Sequence, residues 1–174
     1  YLKLFPKTEV ILNIDNDHLD YFGTLENIIK SFANYVKLIP EDGLLVINSD
    51  DSNCRLLTKS TLAKVVTYGI QNENANFVAR NITFNSNGFP TFDVYYNNNF
   101  YKTISLSVPG RHNVMNALAT IAVCYEYGLE KEDIKKALLK YTGAHRRFEY
   151  KGTVNSAFIY DDYGHHPTEI LATA

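Results

Sequence analysis

The sequence predicts an α/β fold, a parallel sheet flanked by helices with a small antiparallel β patch attached. Short β-branched runs alternate with helical repeats as far as Tyr68. Asn-rich turns then space several strands between Asn76 and Val108, and two helical stretches follow Pro109-Gly110. Alternating strand and helix favours parallel pairing, because a parallel connection needs a crossover, usually a helix.

Val10-Ile11-Leu12-Asn13-Ile14 is a mostly apolar run, the pattern of a strand buried on both faces. A polar loop over 15–23 follows. Thr24 can then cap a helix in which Ile28, Ile29, Phe32, Tyr35 and Val36 recur at helical spacing. Leu44-Leu45-Val46-Ile47 is the second buried run, closed by the polar cluster Asn48-Ser49-Asp50-Asp51-Ser52-Asn53. A short helix is predicted over 56–63 and a third strand over 65–68.

Phe77-Val78-Ala79-Arg80, Ile82-Thr83-Phe84 and 91–96 read as short strands between Asn-rich turns. From Phe100 to Val108 the pattern alternates, with Ile104, Leu106 and Val108 on one face. Pro109-Gly110 breaks that strand. A helix follows with Asn113 as its expected cap, apolar nearly all round from Val114 to Tyr125 and ended by Gly128. A second helix over 130–141 turns Ile134, Leu138 and Tyr141 inward. Strands near 148–150 and 157–160 and a helix from Pro167 complete the reading.

At 174 residues one compact domain is comfortable and two are crowded. A boundary is nevertheless expected near 142–146, dividing 1–144 from 145–174. The net charge of −2 and the absence of a basic run give no reason to expect nucleic acid or an anionic membrane as partner. The longest apolar helix candidate, over 117–125, is about half of what a bilayer span needs, and so reads as core. Cys54 sits in a polar loop and Cys124 in an apolar helix pattern. That is neither a disulfide framework nor a metal knuckle, and it suits a reducing cytoplasm. The chain opens without Met and stops inside the predicted last helix, as a segment of something longer is expected to. Oligomeric state stays open.

Four constellations carry chemistry. Asn13-Ile14-Asp15-Asn16-Asp17-His18-Leu19-Asp20 follows the first strand, at the end where open α/β sheets place ligands. Its oxygen groups and imidazole can bind a divalent cation, or can simply make a solvated turn. In Pro109-Gly110-Arg111-His112-Asn113-Val114-Met115-Asn116, the two Asn are three apart and share a helix face. Carboxamides there suit the edge of a purine base, while cap and solvated neighbour is the plainer reading. The guanidiniums of His145-Arg146-Arg147-Phe148-Glu149 can clamp phosphate or form a salt-bridged surface. Asp161-Asp162-Tyr163-Gly164-His165-His166-Pro167-Thr168-Glu169 packs carboxylates, a phenol and imidazoles before a helix start, for a metal pair or for substrate recognition.

In this order the four segments resemble the Mur ligase family over nearly the whole chain. The resemblance implies a central ATP-binding domain over 1–144 and the beginning of a C-terminal α/β ligase domain over 145–174. It implies a bacterial cytoplasmic enzyme of peptidoglycan synthesis that uses ATP and Mg2+ to form an amide through an acyl phosphate. Within the family, the last motif points to joining L-alanine to UDP-N-acetylmuramate. His18 would be a magnesium ligand and a catalytic residue, with Arg147 on the phosphates and Asp162 facing the nucleotide. His112, Asn113 and Asn116 would lie at the nucleotide, and Tyr163 and His165 at the substrate.

A Gly-rich phosphate loop is not found in these residues; in the family it lies upstream, so the chain alone is expected not to ligate. Ala33 stands where some members carry a carbamylated lysine. Three readings compete with this one. They are a ligase of murein recycling or folate polyglutamylation, a nucleotide-binding module without catalysis, and a metal-dependent hydrolase.

Overall fold

Strand β1 (Thr8–Ile11), helices α1 (Leu19–Phe22) and α2 (Leu25–Val36), strand β2 (Leu44–Asn48), helix α3 (Ser52–Leu57) and strand β3 (Lys64–Gly69) open the computed structural model. Strands β4 (Phe77–Phe84), β5 (Pro90–Tyr96) and β6 (Asn99–Ser105) follow, then helices α4 (Arg111–Glu126) and α5 (Lys131–Lys140). A hairpin of β7 (Glu149–Val154) and β8 (Ala157–Asp161) leads to α6 (Pro167–Thr173). The structure describes residues 2–173; the chain ends Tyr1 and Ala174 lie outside them.

The main sheet runs β1-β2-β3-β4-β5-β6, and β7-β8 form a second sheet. Pairs β1–β2, β2–β3 and β3–β4 are parallel, whereas β4–β5 and β5–β6 are antiparallel. The expected antiparallel patch is therefore continuous with the parallel sheet, and β4 belongs to both.

Strand β2 shows why its run is apolar throughout. Leu44 and Val46 face the core shared with α4, while Leu45 and Ile47 face the core under α2 and α3. Burying each such side chain contributes roughly 1.5–3 kcal/mol. Val114, Leu118 and Ile121 of α4 are fully buried against the first face. Among the described residues no helix is long and apolar enough to cross a membrane.

Several boundaries moved, each for a local polar reason. Strand β1 stops at Ile11 because Asn48 Nδ2 donates to the Leu12 carbonyl at 2.8 Å and the Ile14 amide donates to Asp51 Oδ2 at 3.1 Å. Helix α3 begins at Ser52 because Asp51 Oδ1 caps the Asn53 and Cys54 amides at 2.8 and 3.0 Å. Cys54 consequently lies in the helical core and not in a loop. Asn81, at φ 54°, marks an irregularity within β4, which is one strand where two were expected. Helix α4 starts at Arg111, ahead of Asn113. Tyr141 is half exposed because the backbone turns extended there, at the end of α5.

The expected helix start at Thr24 and helix end at Gly128 hold. Thr24 Oγ1 accepts from the Asn27 amide at 3.3 Å, and Gly128, at φ 73°, ends α4 with Leu129 N donating to the Cys124 carbonyl.

Candidate functional site

The loop after β1 leaves the carboxyl end of the sheet under tight polar control. Besides the Asn48 and Asp51 contacts, Asn53 Nδ2 donates to the Ile14 carbonyl at 2.9 Å. Beyond this brace Asp15 and Asp17 each accept the next residue's amide at 2.7 Å. His18 then adopts φ 52°, a left-handed conformation uncommon outside Gly but more frequent for Asn, Asp and His than for other residues. Its exposed ring stands 3.7 Å from Asp17 Oδ2.

The start of α4 forms a second wall. Gly110 has φ 94°, and a Cβ there would meet His112 Cε1 at 2.7 Å. Glycine is thus required twice, by backbone and by ring. Asn113 does not cap the helix; its Nδ2 donates back to the Pro109 carbonyl at 2.7 Å. Its Oδ1 accepts from Asn116 Nδ2 at 3.2 Å, so the two carboxamides do share a face. Asn116 is exposed toward the cleft, and the buried His112 Nδ1 has no partner.

The third wall comes from the C-terminal segment. Asp162 spends both oxygens on backbone, accepting Phe148 N at 2.8 Å and Gly164 N at 2.6 Å. It thereby fixes the turn that carries Arg147. The expected double-arginine clamp does not form. Arg146, at φ 58°, turns its guanidinium over the Tyr163 ring at 4.9 Å, whereas Arg147 lines the cleft 3.7 Å from Glu169 Oε1. Glu149 accepts from Lys151 at 2.8 Å, which with the Arg146 amide holds its carboxyl well below the usual range.

These walls enclose a cleft of about 1090 Å³ that His18, His112, Asn113, Asn116, Arg147 and Asp162 all line. Tyr163 and His165 are not among the lining residues; His165 Nδ1 lies 3.1 Å from the Tyr163 carbonyl instead. Their neighbours His166 and Thr168 do line it. Asp51, the brace of the loop, was missed as a site residue, although an Asp before a helix run is a readable cap signal.

Asp15, Asp17, Asp50, Asp51, Asp162 and Glu169 line the cleft against Arg147 as its one Lys or Arg among the described residues. Asp50 and Asp51 are engaged by backbone amides; Asp50 alone accepts from Ile70, Gln71 and Asn72. Hydrogen bonds from Asn16 and Thr168 hold the Asp15 carboxyl below its ordinary range. A bare polyphosphate would meet net repulsion from these groups, so the lining suits phosphate only with added positive charge.

Residues 2–124 match the Mur ligase middle domain family. A UDP-N-acetylmuramate–L-alanine ligase of Acetivibrio thermocellus is 47% identical over 99% of this chain, which covers 37% of that protein. A crystal structure of a UDP-N-acetylmuramate–alanine ligase from Thermotoga maritima superposes with a TM-score of 0.81 at 28% identity, over 98% of this chain and 38% of its own. A MurF structure from Acinetobacter baumannii gives 0.83 at 26%, over 98% and 37%. The chain spans little more than a third of such relatives. Both the sheet with its cleft and these likenesses lead to one assignment: the chain belongs to the Mur ligase family, with the family's middle domain over residues 2–124.

Proposed function

We propose that this chain forms the nucleotide-facing part of a cytoplasmic ligase that uses ATP to join L-alanine to UDP-N-acetylmuramate. The observation that carries the reading is the convergence of His18, His112, Asn113, Asn116, Arg147 and Asp162 on one cleft from segments far apart in sequence. The name of the 47%-identical relative, a UDP-N-acetylmuramate–L-alanine ligase, supports the choice of substrates.

In this reading Asn116 presents its carboxamide to the adenine edge, with Asn113 fixing its direction through the 3.2 Å contact. Arg147 donates to phosphate oxygens and neutralises charge as the muramate carboxylate attacks the γ-phosphate, breaking its bond to the β-phosphate oxygen and releasing ADP. The resulting acyl phosphate is then attacked by the alanine amine, releasing phosphate. Asp162 holds the Arg147 turn and does not move a proton, since both its oxygens accept backbone amides.

The residues present fit magnesium only as an ion that keeps ligands from outside the protein. Among the described residues no three His, Cys, Asp or Glu converge as a cage. His18 could supply one ligand, and the acidic lining favours a divalent cation, which commonly keeps water and phosphate oxygens as its other ligands. Bound there, the ion would screen phosphate charge from the cleft carboxylates.

The test is phosphate release from ATP by the intact protein with each substrate omitted in turn. Release requiring both UDP-N-acetylmuramate and L-alanine supports the proposal. Release without an amino acid, or with glutamate or a tripeptide in place of alanine, rejects it.

A further inference from the structure

Two hydrogen bonds tie the C-terminal segment to the loop that carries His18, across 150 and 153 residues of sequence. Thr168 Oγ1 donates to Asp15 Oδ2 at 2.9 Å. His166 Nε2 lies 3.0 Å from the Asn16 carbonyl, an acceptor, so Nε2 carries the proton. The Thr168 amide points at His166 Nδ1 at 3.3 Å, which suits the same tautomer. Asp15, His166 and Thr168 line the cleft, so the contacts join the wall bearing His18 to the wall bearing Arg147 and Asp162.

Loop and segment are each braced on their own side. Asp51 and Asn53 brace the loop, and Asp162 braces the turn before β7. What the braces leave unset is the distance between the two walls. We propose that Thr168 is a positioning residue: its hydroxyl, with the His166 ring beside it, clasps Asp15-Asn16 and sets how far Arg147 stands from His18. Building on the ligase reading above, the clasp acts on the chemical step more than on capture of the adenine, because its hydrogen bonds go to Asp15 and Asn16 and not to Asn116. Misplaced reacting groups cost rate steeply, since catalysis here rests on position.

The inference is tested in the intact protein with spin labels at Tyr21→Cys and Phe158→Cys, both exposed positions on opposite sides of the clasp. Thr168→Val should lengthen and broaden the label distance, while Thr168→Ser, which keeps the hydroxyl, should restore it. In alanine ligation Thr168→Val should lower kcat about tenfold, the worth of one good hydrogen bond, with KM for ATP within about twofold. An unchanged distance and kcat in Thr168→Val would overturn the clasp, as would equal losses in the Ser and Val variants. Should the wild-type protein fail to ligate alanine, the ligase reading falls, and the distance measurement still decides the clasp.

Discussion

The sheet domain and the C-terminal segment are built on different physics. Strand β2 is buried on both faces, β3 and α4 add Val66, Tyr68, Val114, Leu118 and Ile121 to the core they share, and polar groups often end elements. In the β7–β8 hairpin Tyr150, Phe158 and Tyr160 are exposed, and the segment is shaped by carboxylates gripping backbone amides. One region stores stability, the other stores geometry. Substitutions should therefore separate into those that unfold the protein and those that displace the site.

The largest contrast lies between Leu118 and Phe158. Leu118→Ala leaves a cavity between α4 and the sheet and should cost about 2–5 kcal/mol in urea unfolding. Phe158→Ala, at 70% exposure, should stay within about 0.5 kcal/mol. Equal losses would break the comparison.

Glu9 sharpens it from inside the sheet domain. On edge strand β1 its carboxyl is buried at 6% exposure with neither oxygen partnered, and burial pushes it up to about 7. The folded state thus holds a proton that the unfolded chain releases near its ordinary value of 4.5. Stability is fully present below that value, declines as pH rises toward 7, and levels off above it. Glu9→Gln should flatten this decline and, allowing for some solvent screening, gain about 2 kcal/mol at pH 8. A variant with the wild-type pH slope would contradict the assignment.

Gly110→Ala should sit between the two classes. The left-handed backbone and the His112 contact at 2.7 Å predict a loss of about 1–3 kcal/mol together with weakened nucleotide binding. Thr24→Ala, which removes one cap, should cost about 0.5–1 kcal/mol and leave nucleotide affinity unchanged.

Much of the fold was legible because buried strands and caps act locally. The run Leu44-Leu45-Val46-Ile47 announces a strand covered on both faces, and Thr24 and Gly128 announce helix ends. Boundaries failed where a distant polar side chain intervened: Asn48 and Asp51 stop β1 from across the sheet edge. No pattern within residues 10–14 carries that information. The site followed the same rule. His18, His112, Asn113, Asn116, Arg147 and Asp162, singled out by their motifs, line one cleft, but the dense run 161–169 does not say which side chains turn inward. There His166 and Thr168 line the cleft in place of Tyr163 and His165, because the turn at Asp162–Gly164 directs the next residues.

In the proposed ligase both regions face one nucleotide. Hydrogen exchange of the intact protein, with and without a non-hydrolysable ATP analogue and Mg2+, tests it most directly. Simultaneous protection of 13–18, 110–116 and 146–148 is the predicted result. Protection confined to one wall, or absent from all three at saturating analogue, would contradict it.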